Sequence, residues 1–366
     1  MSRVRRRQTA AAGLASVLVT VLWSVPAAAF AGERQLVVGQ PAVAQRAAGQ
    51  QVGEVRYGTV TNARGTMAYR LFVPPQVALS DDAVPLAVQL HGSNEPVDDV
   101  AVRTRLDELA LERGFVVAYP QEDREATATG IWNWTEAAQQ GRDGRVPSLV
   151  AAIVDDVRET LPIDPDRTTV GGFSAGAGMA TVLAATHPDV FHGVQSEAGC
   201  MFNGALCAIG SPGHLLGTTL DPIESARQAV AAMGEHARRQ PFVVSYGSLD
   251  PLALVVGQQA LVEQWLATND LVDDGLLNGS VPATPVALTY ETTNGRIHEV
   301  ANYVDAEGCL LGQRHLVHGL AHAYSGGEPL HLLDTGADPA GPQMRQVAYD
   351  FFEAQADGVC QVPPAG

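Results

Sequence analysis

The sequence predicts an α/β fold in which a mainly parallel central sheet is covered by helices on both faces. Three observations carry this expectation. Apolar runs of strand length alternate with helix-length amphipathic segments, and such alternation builds a parallel sheet through helical crossovers. The chain has 366 residues, 46% of them hydrophobic, which suffices for one large domain, and no internal repeat or Pro/Gly/Ser-rich linker divides it. A Gly-x-Ser-x-Gly pentapeptide, Gly172 to Gly176, stands between a strand candidate and a helix candidate.

The N-terminus comes first. Arg-Val-Arg-Arg-Arg at residues 3–7, an apolar run from Ala10 to Val25 and small residues through Ala31 read as a secretory signal peptide over 1–31. The run is shorter than the roughly 20 residues of a spanning helix, so no stable membrane anchor is expected. Thr9 and Ala10 stand where a twin-arginine signal carries a bulky apolar residue, so general secretion to the extracellular space is the expectation. Residues 32–52, rich in Ala, Gln and Gly, read as a flexible leader with few core contacts, and 53–366 as a single domain. Strand candidates follow at Met67 to Val73, Leu86 to Leu90, Phe115 to Tyr119, Thr168 to Gly172, Phe242 to Tyr246 and Val286 to Tyr290. The clearest helix is Pro147 to Leu161, where Leu149, Val150, Ile153, Val154, Val157 and Leu161 share one face.

Composition excludes whole classes of chemistry. All 23 basic residues are Arg; without lysine there is no Schiff base, no pyridoxal chemistry, no Ser-Lys hydrolase and no P-loop. The formal net charge is −17, and loss of residues 1–31 removes four arginines and no acid, which speaks against nucleic acid and leaves two readings, a neutral small molecule or polymer as partner, or charge that serves solubility alone. Export permits disulfides; sequence proximity pairs Cys200 with Cys207 and leaves Cys309 with Cys360. The absence of a Cys-x-x-Cys pair argues against zinc.

Within the pentapeptide, Ser174 is the candidate nucleophile. A serine at a sharp strand-to-helix turn has an exposed hydroxyl, glycines two residues away let strand and helix approach, and the N–H of Ala175 at the helix start is a candidate oxyanion donor. A base and an acid should follow in the order acid, then histidine. Asp250 closes a strand's C-terminal end and is the candidate acid; Asp273 and Asp274, in a polar stretch with no preceding strand, read better as solvated loop acids. His322, in the glycine-bounded loop Gly319 to Gly327, is the candidate base. The spacing of His315, His318 and His322 also permits a metal-binding helix, but the glycines break it and no His-Glu-x-x-His pattern accompanies it, so neither metal nor cofactor is expected. His91-Gly92-Ser93 after an early strand supplies the second oxyanion donor, from Ser93 or Gly92.

These residues resemble the secreted polyhydroxybutyrate depolymerase family of esterases, a branch of the α/β-hydrolase superfamily that also holds feruloyl and acetylxylan esterases. The resemblance runs from Gly65 to Phe352 and rests on Leu90-His91-Gly92, Gly114 to Pro120, Trp132-Asn133-Trp134, Ile163 to Arg167, Gly172 to Gly178 with Pro188 to Phe191, Gly247 to Asp250, and Gly319 to Gly327. It implies an α/β-hydrolase fold and a serine esterase with Ser174, Asp250 and His322 in the roles chosen above, and it marks His91, Trp132, Trp134 and Tyr324 as candidate substrate-binding residues, the two indoles being equally readable as core. Many relatives carry cysteines where this chain has Ser93 and Ile131, and a tryptophan where it has Tyr324. The resemblance implies a polyester or its oligomers as substrate. The alternatives are a feruloyl or acetylxylan esterase and an inactive hydrolase scaffold used for binding. Oligomeric state is not readable.

Overall fold

Ten strand segments pair into one sheet, described by a computed structural model over residues 52–80, 82–123, 127, 130–204 and 221–356. These residues belong to one unit, Gln50–Gly366, and the signal and leader stretch, His214, Cys207 and Cys360 lie outside the described residues. The strands are β1 (Glu54–Asn62), β2 (Gly65–Val73), β3 (Val84–Leu90), β4 (Val116–Gln121), β5 (Ile163–Phe173), β6 (Val194–Glu197), β7 (Phe242–Gly247), β8 (Ala287–Thr293), β9 (Arg296–Val304) and β10 (Leu310–Val317). Their order is β1-β2-β4-β3-β5-β6-β7-β10-β9-β8. The centre, β4 to β10, is parallel, and antiparallel pairs close both edges. Two short strands, β11 (Tyr324–Ser325) and β12 (Ala337–Asp338), pair apart from it.

Helices cover both faces: α1 (Pro75–Ala78), α2 (Val97–Thr104), α3 (Leu106–Arg113), α4 (Arg145–Thr160), α5 (Ala175–Thr186), α6 (Pro222–Met233), α7 (Val255–Asp274) and α8 (Met344–Ala356). On α4 the expected apolar face, Leu149 to Leu161, is buried in the main core, each such side chain contributing about 1.5–3 kcal/mol. α5 is buried over its whole length, as a helix of Ala, Gly, Met, Val and Leu behind a central sheet must be. Side chains alternate between the faces of β3: Leu86, Val88 and Leu90 enter the core that holds α4 and α5, while Ala87 packs toward α2 and α3.

Four strand candidates lie inside strands with equal or wider limits, and the other two begin one residue early, at Phe115 before β4 and Val286 before β8. β1, β6, β9 and β10 went unread. The β8–β9 hairpin turns at Asn294-Gly295, both with positive φ (48° and 89°), the pairing a tight two-residue turn requires. Asp273 and Asp274 end α7 instead of lying in a loop, and Asp273 pairs with Arg239 at 3.0 Å.

Candidate active site

Ser174 sits between β5 and α5 at φ 55° and ψ −119°, a conformation L residues rarely hold. The flanking glycines permit it. A Cβ on Gly172 would lie 2.4 Å from the Gly176 carbonyl carbon, and one on Gly176 would lie 2.4 Å from the His91 carbonyl oxygen. The pentapeptide therefore locks the serine turn against the end of β3. The Ser174 amide donates to the Glu197 carbonyl oxygen at 2.9 Å, tying the turn to β6 as well.

Three side chains far apart in sequence meet here. Asp250 Oδ2 lies 2.8 Å from His322 Nδ1, and His322 Nε2 lies 2.9 Å from Ser174 Oγ. A carboxylate only accepts, so Nδ1 carries the hydrogen and Nε2 presents its lone pair to the serine O–H. Asp250 Oδ1 accepts from the amides of Leu252 and Ala253, both at 2.8 Å, which fixes the carboxylate plane. The acid and histidine loops are tied by Ser248 N to Val317 O (3.0 Å), Leu249 N to Leu320 O (3.0 Å) and Gly319 N to Ser248 Oγ (2.9 Å). Phe173 backs the imidazole, with ring centroids 4.7 Å apart. His315 lies inward on β10, 5.9 Å from the His298 ring, and not on one helical face with His322. Among the described residues no group of three His, Cys, Asp or Glu side chains is placed to hold a metal ion.

The donors expected for an oxyanion differ from one another. The Ala175 N–H stands at the start of α5, where the helix supplies no acceptor and its dipole adds positive potential. Ser93 is exposed and its amide has no partner among the described residues. The Gly92 amide is already engaged, donating to Glu95 Oε2 at 3.1 Å, so Ser93 is the freer donor of the two.

Three of the expected substrate contacts need correction. His91 and Trp132 are 0% exposed and Tyr324 is 3% exposed, so their contacts are with the protein. His91 is a strut: Nδ1–H donates to the Gly92 carbonyl oxygen (2.6 Å) and Nε2 accepts from the Glu122 amide (3.0 Å). Burial pulls its pKa down to about 4 and keeps the ring neutral. Trp132 Nε1 donates to the His91 carbonyl oxygen at 2.8 Å, and the Tyr324 hydroxyl donates to Glu95 Oε2 at 3.0 Å while its ring stacks on Phe173. Trp134 is half-buried against the core, close over Gly178.

Two acids escaped sequence reasoning. Glu95 binds Gly92, Tyr324 and, as an ion pair at 2.8 Å, Arg103; burial raises its pKa. Glu197 is buried beneath the histidine loop, accepts from the Ser325 amide at 2.6 Å, and is pushed up to about 8 by burial. Its place at a strand's C-terminal end was the available signal, hidden because β6 is only four residues long. The segments that hold Ser93 and Ile131 are joined by the Asn94 amide, which donates to the Gly130 carbonyl oxygen at 3.1 Å. No described cysteine is free.

Residues 67–280 match the family described as esterase PHB depolymerase. The chain is 28% identical over 266 residues to poly(3-hydroxyalkanoate) depolymerase C of Paucimonas lemoignei, covering 70% of this chain and 58% of that one. It is 25% identical over 210 residues to feruloyl esterase B of Thermothelomyces thermophilus, covering 53% and 68%. The chain thus spans less than two thirds of the depolymerase it matches. The acetyl xylan esterase from Aspergillus awamori superposes with a TM-score of 0.60 at 19% identity, covering 81% of this chain and 99% of that one, which establishes the α/β-hydrolase fold. With the family match spanning more than half its length, this chain belongs to the PHB depolymerase family of esterases.

Proposed function

We propose that the protein is a secreted serine esterase that cleaves ester bonds of a polyester or its oligomers through Ser174, His322 and Asp250. The signal peptide over 1–31 is removed, 53–366 act as one catalytic domain, and Cys200 pairs with Cys207 and Cys309 with Cys360. The observation that carries the mechanism is the hydrogen-bond chain from Asp250 through His322 to the strained Ser174.

As Ser174 Oγ attacks the ester carbonyl carbon, His322 Nε2 takes its proton. Asp250 stabilises the resulting imidazolium, held in place by the Leu252 and Ala253 amides. The carbonyl oxygen gains negative charge and accepts from the Ser93 and Ala175 amides, donors fixed before the reaction begins. His322 then returns the proton to the leaving alcohol, and water, deprotonated by the same nitrogen, releases the acid from Ser174.

An apolar, uncharged substrate is supported by the surroundings of Asp250. Leu249 and Leu252 are 67% and 48% exposed beside the site, a wall that suits hydrocarbon better than a hydroxyl-rich polysaccharide. The second reading, a feruloyl or acetylxylan esterase, has its support in the similarity to a feruloyl esterase over 68% of that protein. The deciding experiment is clearing of an amorphous poly(3-hydroxybutyrate) suspension by the purified protein, with Ser174→Ala as blank and a short soluble ester as activity control. Clearing that requires Ser174 supports the polyester reading. Brisk soluble-ester hydrolysis without clearing transfers the assignment to the carbohydrate or small-ester branch, and activity in Ser174→Ala refutes the mechanism.

A further inference from the structure

A cavity of about 330 Å³ lies between the sheet and α8, lined by Gln89 of β3, Gly171 of β5 and Gln195 of β6, and roofed by Tyr349 and Phe352. Its volume falls at the lower end of small-molecule sites. The floor is out of character for the fold. Central strands of a parallel sheet normally present apolar side chains to both layers, yet two glutamine amides flank a glycine whose Cβ would lie 2.9 Å from Gln195 Oε1.

The walls are cationic. Arg238 and Arg345 both line the cavity, both are half-buried, and neither forms an ion pair among the described residues. That is unexpected in a chain with 40 acids and 23 arginines, where carboxylates are the commoner partner on offer. Burial lowers the pKa of both guanidinium groups, because few opposite charges repay their desolvation. Of the other charges at the cavity, Arg167 pairs with Glu353, while Asp166, 3.4 Å from a His192 ring whose pKa burial lowers, is the one carboxylate that acts on Arg238, from beyond ion-pair distance.

We propose that this cavity is a second ligand site, distinct from Ser174, which binds a short-chain carboxylate between Arg238 and Arg345. A guanidinium is matched in shape to a carboxylate and binds it through two parallel hydrogen bonds. The Gln89 and Gln195 amides suit a hydroxyl or a neutral oxygen on the same molecule, and Ala87, Leu106 and Phe352 suit a short hydrocarbon chain. Asp166 and Glu353 at the same cavity limit the surplus positive charge, which favours a monoanion over phosphate. Ester hydrolysis releases a carboxylate at every turnover, so the enzyme's own reaction supplies a ligand of this class. Arg345 is held by two neutral acceptors, Nη1 donating to the carbonyl oxygen of Gly326, in the loop that carries His322, at 3.0 Å and Nη2 to Gln343 Oε1 at 2.6 Å, so it supplies charge while Arg238 offers the freer fork.

The test is calorimetric titration of the purified protein with 3-hydroxybutyrate and, separately, with inorganic phosphate, which needs no turnover and is therefore independent of the role assigned to Ser174. One equivalent of 3-hydroxybutyrate should bind, and Arg238→Gln should weaken it about tenfold or more while leaving soluble-ester hydrolysis unchanged. Arg238→Lys, which keeps the charge and loses the fork, should fall between. Thermal melting shows that each variant is folded. Absence of saturable 3-hydroxybutyrate binding up to about 10 mM would overturn the proposal. So would equal affinity in Arg238→Gln, which places the acid elsewhere, or phosphate binding that 3-hydroxybutyrate does not match, which makes the site one for phosphate.

Discussion

Replacing Glu95 by Gln asks whether the loop that offers the oxyanion donor is held by charge. Glu95 Oε2 accepts from the Gly92 amide at 3.1 Å and from the Tyr324 hydroxyl at 3.0 Å, while Oε1 faces Arg103 Nε at 2.8 Å. Both partners of the ion pair are about seven-eighths buried, with side-chain exposures of 14% and 13%. Gln keeps the shape but has only one acceptor oxygen. If that oxygen faces Gly92 and Tyr324, the new NH₂ opposes Arg103; if it turns, the NH₂ opposes the Gly92 amide, which cannot rotate away. Either arrangement leaves a buried donor without an acceptor, at a cost of about 1–3 kcal/mol. Expressed as a smaller population of the competent loop, this is a fall in kcat of about fivefold to somewhat over a hundredfold, since 1.4 kcal/mol is a factor of ten. KM should change little, because the Ser93 amide is needed most where the oxyanion forms. Steady-state kinetics on a soluble ester near neutral pH, with a melting curve beside them, separate the two contributions. A kcat within about twofold of the parent, alongside a melting temperature lowered by several degrees, would show that Glu95 supports the fold and not the transition state, and the reasoning would fail.

Three further outcomes follow from the same geometry. Asp250→Asn keeps the oxygen that accepts from Leu252 and Ala253 but turns an NH₂ toward His322, which puts the hydrogen on Nε2 and removes the base; kcat should fall on the order of 10⁴-fold with the melting temperature nearly kept, and retention of a tenth of the activity would contradict the assignment. Glu197 has its pKa raised from 4.5 to about 8, so between those values the folded protein holds a proton that the unfolded chain releases, and stability contributed at low pH is lost as the pH rises from about 4.5 to about 8. Glu197→Gln keeps the acceptor for Ser325 and removes that loss, so its unfolding free energy should gain on the parent's steadily across this window, by up to about 1.4 kcal/mol per pH unit, with the melting temperature rising alongside; a difference independent of pH would refute the buried neutral acid. Leu252→Ser should slow clearing of a solid polyester several-fold and leave soluble-ester kcat/KM nearly unchanged, and equal losses in both assays would place Leu252 inside the acyl pocket.

What was legible in the sequence was legible because its cause is local. Gly172 and Ser174 announce their turn since the steric conflict that Gly172 avoids is with Gly176 and Ala177, a few positions away, and Asp250 and His322 could be placed because each follows a strand or stands in a glycine-bounded loop. The support around them could not be read this way. Glu95 and Tyr324 are 229 positions apart, and neither residue type demands the other until the fold brings them together. The same limit explains the correction at His91: the partners that make it a strut, Glu122 and Trp132, stand 31 and 41 positions away and meet it only in the fold.

Gln89 and Gln195 make the point most sharply. Each taken alone is an ordinary polar residue at an alternate strand position, a pattern that ordinarily means a solvent-facing side. Only the sheet order, with β5 between β3 and β6, sets both amides beside Gly171 on the interior face of a parallel sheet. There an uncharged polar pair costs stability unless something satisfies it. The lapse from apolar alternation at three adjacent central strands, with two arginines over it that form no ion pair among the described residues, is therefore a feature of the assembled sheet and not of any one segment. It is also the place where fold economy and chemistry part company, since an enzyme needing only Ser174, His322 and Asp250 would be more stable with that face filled by aliphatic side chains.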